Sequence, residues 1–204
     1  MTAERYLSEK QAFIFELDDV LFPQKDYVLQ AYYLFAQFIE YGEQLSAPEI
    51  LKYMQDYYAK NGGAQIFEAT AAALKIPEKY KMNFELLLLG AKLPLKLLLY
   101  DEVLKFLQGI VLERKQIFLF TDGDPAMQLN KIKQIEWNGL GQYLRVYFSA
   151  ETAAKPATDG LDLMISEHGL DKKDVLFVGR TGLDEEFALN GKIDFLNVNK
   201  LLLS

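Results

Sequence analysis

Cysteine is absent from this chain of 204 residues, and histidine occurs only once. The absence of cysteine excludes disulfide bonds, thiolate metal ligands and a cysteine nucleophile. The single histidine excludes a metal site built from several histidines and disfavours a Ser–His catalytic arrangement. A chain of this length forms one domain, or one domain with a sizeable insertion, and buries roughly 70% of its unfolded surface without covalent staples.

An excess of basic residues is also missing. The chain has 22 lysines and arginines against 29 acidic residues, which gives a formal net charge of −7. A nucleic-acid-binding protein usually presents a basic surface, so we expect no nucleic-acid partner. The acidic balance still leaves room for a small local pocket that binds an anion.

No apolar run is long enough to suggest a membrane span. The most apolar segment, Leu86 to Leu99, is interrupted by Lys92, Pro94 and Lys96, whereas a spanning helix needs about 20 predominantly apolar residues. The first eleven residues are polar and carry no signal-peptide pattern. We therefore expect a cytoplasmic protein with no membrane partner.

Short apolar runs alternate with helical patterns over most of the chain. The predicted strands cover residues 12–15, 116–120, 145–148, 174–178 and 194–198. The helices predicted between the later strands cover residues 101–113, 125–137, 158–168 and 183–189. Strands that alternate with helices indicate a parallel sheet covered on both faces, so the predicted fold class is α/β with a Rossmann-like core.

A region from residue 26 to about residue 89 has no strand pattern. Apolar side chains recur there at helical spacing, for example at Val28, Tyr32, Phe35 and Ile39, and glycines and prolines divide the region into four helices. We therefore predict an α/β core from residues 1–22 and 96–204, interrupted by an all-helical domain from residues 23–95.

Polar side chains follow the predicted strands at the points where they end. In open parallel sheets, ligands bind at the carboxyl ends of the strands, so these side chains are the candidate site. The residues are Glu16, Asp18, Thr121, Asp122, Lys155, Arg180 and Asp184. The alternative at each position is an ordinary loop or capping residue, and Arg180 has the further alternative of pairing with Asp184 or Glu185.

Four of these segments, in this order, resemble the motifs of the haloacid dehalogenase superfamily, whose members are mostly phosphatases and phosphomutases. The segments are Phe15-Glu16-Leu17-Asp18-Asp19-Val20-Leu21-Phe22, Phe118-Leu119-Phe120-Thr121-Asp122-Gly123, Lys155-Pro156, and Val178-Gly179-Arg180-Thr181-Gly182-Leu183-Asp184. The resemblance covers essentially the whole chain. The inserted helices resemble the helical cap of the phosphoglycolate phosphatase and β-phosphoglucomutase branch.

The resemblance implies phosphoryl chemistry and assigns a role to each position. The first acid of the first motif is the nucleophile and the second transfers protons, which places Glu16 and Asp18 in those roles. A hydroxyl and an ammonium hold the phosphoryl oxygens, which implies phosphate binding by Thr121 with its neighbour Asp122, and by Lys155.

The resemblance also implies Mg²⁺, a hard cation that prefers oxygen ligands. Its ligands here would be Glu16, Asp18 and Asp184. Two positions depart from the family pattern, because the family has aspartate where this chain has Glu16 and Arg180. A guanidinium beside Mg²⁺ would repel it.

The two departures suggest a linked change. The strands that end at Glu16 and Gly179 are predicted neighbours, so Glu16 and Arg180 are within reach of an ion pair. In this hypothesis Arg180 supplies the positive charge that Mg²⁺ normally provides, and the pocket binds phosphate through Lys155, Thr121 and Arg180.

Two functions follow from the sequence. One is a hydrolase of a small phosphorylated metabolite, with activity weakened or altered by Glu16 and Arg180 and with Mg²⁺ as cofactor or with none. The other is a catalytically inactive protein that binds an anionic ligand or a protein partner. A dehalogenase is a distant third.

Overall fold

The computed structural model describes residues 2–203. Two compact units divide the chain, one built from Met1–Gln24 and Leu97–Ser204 and the other from Lys25–Lys96. The strands are β1 Ala12–Phe15, β2 Leu97–Leu98, β3 Gln116–Thr121, β4 Ile135–Glu136, β5 Leu144–Phe148, β6 Val175–Gly179 and β7 Asp194–Asn197. The helices are α1 Thr2–Glu9, α2 Gln24–Glu43, α3 Ala47–Asn61, α4 Ile66–Leu74, α5 Lys81–Gly90, α6 Asp101–Leu112, α7 Pro125–Gln134, α8 Asp159–His168, α9 Gly182–Gly191 and α10 Asn199–Leu202.

The first unit is built on a parallel five-stranded sheet with the strand order β5-β3-β1-β6-β7. Strand β1 lies at the centre, where all four of its residues are buried. Phe15, its last residue, lies opposite Leu119 of β3 and Val178 of β6. The crossovers needed by parallel strands are helices, which confirms the predicted α/β fold class with its Rossmann-like core.

Helices cover both faces of this sheet because successive strand residues point to opposite sides. Phe13 and Phe15 contact the ring of Phe106 on α6, with ring centroids 5.5 and 6.1 Å apart. On the other face, Phe187 of α9 stacks on Phe120 with the ring centroids 5.1 Å apart. The apolar strands are therefore buried on both sides, and the polar residues that follow them remain at the sheet edge.

The second unit is helical and has its own core. Helices α3, α4 and α5 lie within it, together with α2 from its second residue onward. Its centre is aromatic, with Phe84 in ring contact with Tyr32, Phe35 and Phe67. The helical pattern of the sequence thus reflects the packing of this unit around its own buried side chains.

Three local features differ from the sequence prediction. Helix α7 ends at Gln134 rather than at residue 137, because Ile135–Glu136 pairs with Leu97–Leu98 as a small parallel ladder. The sequence signals predicted neither that ladder nor helix α1. Among the described residues, no helix is long and apolar enough to cross a membrane.

Candidate active site

The carboxyl ends of the three central strands meet at one place. The backbone N–H of Glu16, directly after β1, donates to the carbonyl oxygen of Val178 at 3.0 Å. Thr121 is the last residue of β3, and Gly179 is the last residue of β6. The strand order therefore confirms that the segments ending at Glu16 and Gly179 are neighbours.

A cleft of about 490 Å³ opens at this edge of the sheet. Its ten lining residues include five carboxylates but only two cationic side chains, and they are Glu16, Asp18, Asp19, Gln24, Asp122, Lys155, Arg180, Thr181, Leu183 and Asp184. Six of the seven candidate residues from the sequence line the cleft, and the seventh, Thr121, is buried behind it in contact with Glu16. The acidic excess means that the cleft depends on its few cations for neutralisation.

Lys155 is the cation at the centre of this cluster. Its Nζ donates to Oε2 of Glu16 in a short contact, and to Oδ1 of Asp184 at 2.5 Å. The same Nζ lies 3.3 Å from Oδ2 of Asp122, and only 2% of the lysine side chain is exposed. One buried ammonium therefore links three carboxylates that come from three different segments of the chain.

The electrostatics of this cluster follow from burial and from the shared ammonium. Burial raises the pKa of Glu16, and it outweighs the opposing effects of Lys155 and of the hydrogen bonds from Thr121 and Leu17. Burial alone would lower the pKa of Lys155, but the carboxylates of Glu16 and Asp184 raise it above its ordinary value. Lys155 is therefore held as a cation in a buried place.

Glu16 has both carboxylate oxygens in use. Oε1 accepts the backbone N–H of Leu17 at 2.8 Å and the hydroxyl of Thr121 in a short contact. Oε2 accepts from Lys155. Thr121 in turn accepts from Nε2 of Gln128 at 2.8 Å. The orientation of the carboxylate is therefore fixed by a chain of hydrogen bonds that reaches helix α7.

Asp18 is held from one side only. Its Oδ2 accepts Nζ of Lys131 at 2.6 Å and Nε2 of Gln128 at 3.0 Å. Its Oδ1 is buried and has no hydrogen-bond partner among the described residues. A buried acceptor without a partner is costly, so Oδ1 is the oxygen of this carboxyl that retains the capacity to accept a further donor.

Sequence reasoning missed Gln128 and Lys131, although both contact Asp18. Their spacing of three on the helix after β3 puts them on one helical face. Both are almost fully buried, which is unusual for a lysine. The only sequence signal for these two residues was a polar pair, three residues apart, on the helix that follows an apolar strand. The motif pattern gave no reason to assign that pair to the site.

Asp184 is fixed by its own backbone surroundings. It closes a capping box with Thr181 at the start of α9, and its Oδ2 also accepts the backbone N–H of Arg180 at 2.9 Å. Burial on its own would raise the pKa of Asp184, but Lys155 and these N–H groups together lower it. A Cβ at Gly179 would lie 2.5 Å from Cβ of Asp184, so glycine is required for this close approach.

The predicted ion pair between Glu16 and Arg180 is wrong. The guanidinium of Arg180 is exposed, and its Nη1 donates to the backbone carbonyl oxygen of Asp19 at 3.2 Å. The partner of Glu16 is Lys155. The side chain of Arg180 leaves the strand edge toward the loop of Asp19, whereas Lys155 reaches the buried carboxylates from the segment that follows β5.

The residues at this edge do not fit Mg²⁺. Both oxygens of Glu16 and both oxygens of Asp184 already accept hydrogen bonds from the protein, and a cation occupies position 180. Across residues 2–203, no group of three or more acidic or histidine side chains is arranged to hold a metal ion. Mg²⁺ prefers near-ideal octahedral oxygen coordination, and the unpartnered Oδ1 of Asp18, the third predicted ligand, does not supply it by itself.

Comparisons with known proteins agree with the fold. The family model described as haloacid dehalogenase-like hydrolase matches residues 13–198. A protein from Thermotoga maritima assigned as a β-phosphoglucomutase has a similar fold, with a TM-score of 0.65 and 15% identity over 95% of this chain and 97% of that one. A hydrolase from Streptococcus pneumoniae TIGR4 has a TM-score of 0.56 with 16% identity, covering 92% of each chain.

The L-2-haloacid dehalogenase of Xanthobacter autotrophicus is also similar, with a TM-score of 0.50 and 16% identity over 91% of this chain and 76% of that one. No curated relative matches the chain. At these identities the solved structures show the fold alone. The family match, by contrast, runs from β1 to the residue after β7 and includes the inserted helices. This chain therefore belongs to the haloacid dehalogenase-like hydrolases.

Proposed function

We propose that this protein hydrolyses small phosphorylated metabolites slowly and without Mg²⁺, with Lys155 as the cation of the site. The observation that carries the proposal is the ammonium of Lys155 held between Glu16 and Asp184 at the carboxyl edge of the sheet. A cation in this place offsets the charge repulsion between an attacking carboxylate and a phosphate ester.

The reaction proceeds in two steps. Oε2 of Glu16 attacks phosphorus, the bond from phosphorus to the alcohol oxygen breaks, and the alcohol leaves with a proton. Water then attacks the phosphorus of the glutamyl phosphate, which releases inorganic phosphate and restores Glu16. Oδ1 of Asp18 is the oxygen of that carboxyl left without a protein partner, so it transfers the proton in each step.

Three features make this turnover slow. Glutamate is one methylene longer than the aspartate of the family, and a misplacement on the order of 1 Å costs about 100-fold in rate. Burial raises the pKa of Glu16 because it disfavours the charged carboxylate, which is the nucleophilic form. Thr121 and Lys155 must also exchange contacts with Glu16 for contacts with the phosphate.

A second candidate function is binding of an anionic ligand without turnover. The saturation of both Glu16 oxygens by protein donors favours it. In this case the cleft holds the ligand through its lining cations, Lys155 and Arg180, and Glu16 never becomes free to attack. A ligand that binds only the folded state raises the unfolding temperature without any product being formed.

The experiment is a phosphate-release assay on a panel of small phosphomonoesters, with Mg²⁺ or with EDTA. We expect slow release by the wild type that EDTA leaves unchanged, and loss of that release in Asp18→Asn. Asp162→Asn is the matched control, because Asp162 is an exposed carboxylate on α8 paired with Lys172. Release that EDTA abolishes would contradict the metal-independent site.

A second arm separates the two candidate functions. The double variant Glu16→Asp/Arg180→Asp restores both family acids, and we expect it to gain Mg²⁺-dependent turnover. If the wild type releases no phosphate but is stabilised against heat by the same esters, the binding function replaces the hydrolase proposal.

A further inference from the structure

A second cleft, of about 530 Å³, lies at the opposite edge of the same sheet. It is formed where α6 leads into β3 and where β5 begins. The residues that give it its chemical character are Arg114, Lys115, Gln116, Gln142, Tyr143 and Arg145. Its volume is in the range of small-molecule pockets, about 300–1,000 Å³.

The charge of this cleft is opposite to that of the whole chain. Three cations line it, and none of its described lining residues is acidic. None of the three forms an ion pair with a carboxylate of residues 2–203. Like charges brought together without a counter-charge repel one another, and a bound anion relieves that repulsion.

The three cations are held to different degrees. Nζ of Lys115 donates to the backbone carbonyl oxygen of Leu7. The guanidinium of Arg145 lies 5.7 Å from the ring centroid of Phe118 and donates to the side chain of Gln116 at 3.4 Å. The exposed side chain of Arg114 makes no hydrogen bond with a described residue. Two of the cations are therefore positioned by neighbours, while donor groups remain for a ligand.

An aromatic surface completes the cleft. Tyr143 is 48% exposed, and the amides of Gln116 and Gln142 lie in the same lining. One arginine guanidinium can donate two hydrogen bonds to two oxygens of a phosphate, and an exposed aromatic ring can pack against a flat base. Lining of this kind suits a ligand that has both several phosphate oxygens and a planar organic part.

We propose that this basic cleft binds a nucleoside diphosphate, with the phosphates on Arg114, Lys115 and Arg145 and the base against Tyr143. The site is separate from the acidic cleft and does not depend on the proposed hydrolase function. Its ligand is proposed to be bound and not consumed, because no carboxylate, histidine, serine or threonine is among the described residues that line the cleft.

The test is isothermal titration calorimetry at low salt with ADP, pyrophosphate and adenosine as separate probes. We expect ADP and pyrophosphate to bind and adenosine to fail. Arg145→Gln should weaken both binders by about tenfold or more, through loss of charge-assisted contacts. Tyr143→Ala should weaken ADP and leave pyrophosphate unchanged, which separates ring contact from phosphate contact.

Arg114→Gly provides an independent variant with a matched control. Arg114 has a φ of 55° after helix α6, and Lys192 has a φ of 56° after helix α9, so glycine is accommodated at both positions. Arg114→Gly should weaken ADP by about tenfold, whereas Lys192→Gly removes one positive charge and should change nothing.

Three outcomes would overturn the proposal. The first is a wild type that binds neither ADP nor pyrophosphate. The second is ADP binding that survives both Arg145→Gln and Arg114→Gly. The third is ADP binding that is lost in Arg180→Gln, because that result would move the ligand to the acidic cleft. Loss of phosphatase activity in the other assay leaves this proposal standing.

Discussion

The two clefts lie at opposite edges of one sheet and organise charge in opposite ways. At the carboxyl edge, five carboxylates line the cleft, and the buried ammonium groups of Lys155 and Lys131 are paired with Glu16, Asp184 and Asp18. At the amino edge, three cations and no acid are among the described lining residues of the cleft, and the side chains of Arg114 and Arg145 are exposed. The difference indicates that the central charges of the first edge are paired within the protein, whereas the cations of the second edge have no carboxylate partner among the described residues.

The largest expected effect comes from removing the cation of the acidic cleft. Lys155→Met leaves Glu16 and Asp184 as buried carboxylates without their ammonium, so the free energy of unfolding should fall by about 3–5 kcal/mol. Denaturant unfolding at neutral pH measures this loss. The double variant Lys155→Met/Glu16→Gln has one unpaired buried charge fewer than Lys155→Met. It should therefore be more stable than Lys155→Met.

The stability difference between the wild type and Lys155→Met should shrink as the pH falls. In the wild type the pKa of Asp184 is lowered from its ordinary value of 3.8. Ionised Asp184 therefore stabilises the fold at pH values above 3.8, and this stabilisation is lost as the pH falls below that value. In Lys155→Met, burial without the ammonium favours protonated carboxyl groups, so the variant gains relative to the wild type on acidification. A stability difference that stays constant between neutral and acidic pH would contradict a buried-charge origin.

A smaller effect should come from the backbone that holds Asp184. In Gly179→Ala the new Cβ would lie 2.5 Å from Cβ of Asp184, which forces a shift and should cost about 1–3 kcal/mol in the free energy of unfolding. Gly182→Ala is the matched control three residues later, because no heavy atom lies within 4 Å of its added Cβ. Thermal unfolding of both variants measures the comparison, and equal losses would show that Asp184 is not tightly packed.

Much of this architecture could be predicted from the sequence. The apolar run at Ala12–Phe15 and the later strands gave the α/β fold class, and the four motif segments gave the family, both of which are confirmed. Periodicity succeeds here because strands buried on both faces are continuously apolar while helices repeat every three to four residues. Helix α1 was missed because its short segment is polar on most of its surface.

The interior of the site was harder to predict for a physical reason. Motif positions show which residues reach the strand edge, but not which way a long side chain turns. The exposed Arg180 turns toward the backbone of Asp19, and Lys155 takes the place that the sequence hypothesis gave to the guanidinium. Lys131 was missed because its contact with Asp18 joins a helix face to a loop 113 residues earlier.

The smallest expected effect lies in the basic cleft and has the opposite sign. Arg114 follows α6 in the left-handed conformation, and Lys115 donates its N–H to the carbonyl of Ile110 at 3.1 Å, which is the pattern that favours glycine at position 114. Arg114→Gly should therefore raise the free energy of unfolding by about 1 kcal/mol through relief of backbone strain. Denaturant unfolding without added phosphate compounds measures it, beside Lys192→Gly, which relieves the same strain after α9. If Arg114→Gly destabilised the protein while Lys192→Gly stabilised it, the guanidinium would hold the fold just as Lys155 does, and the contrast between the two edges would fail.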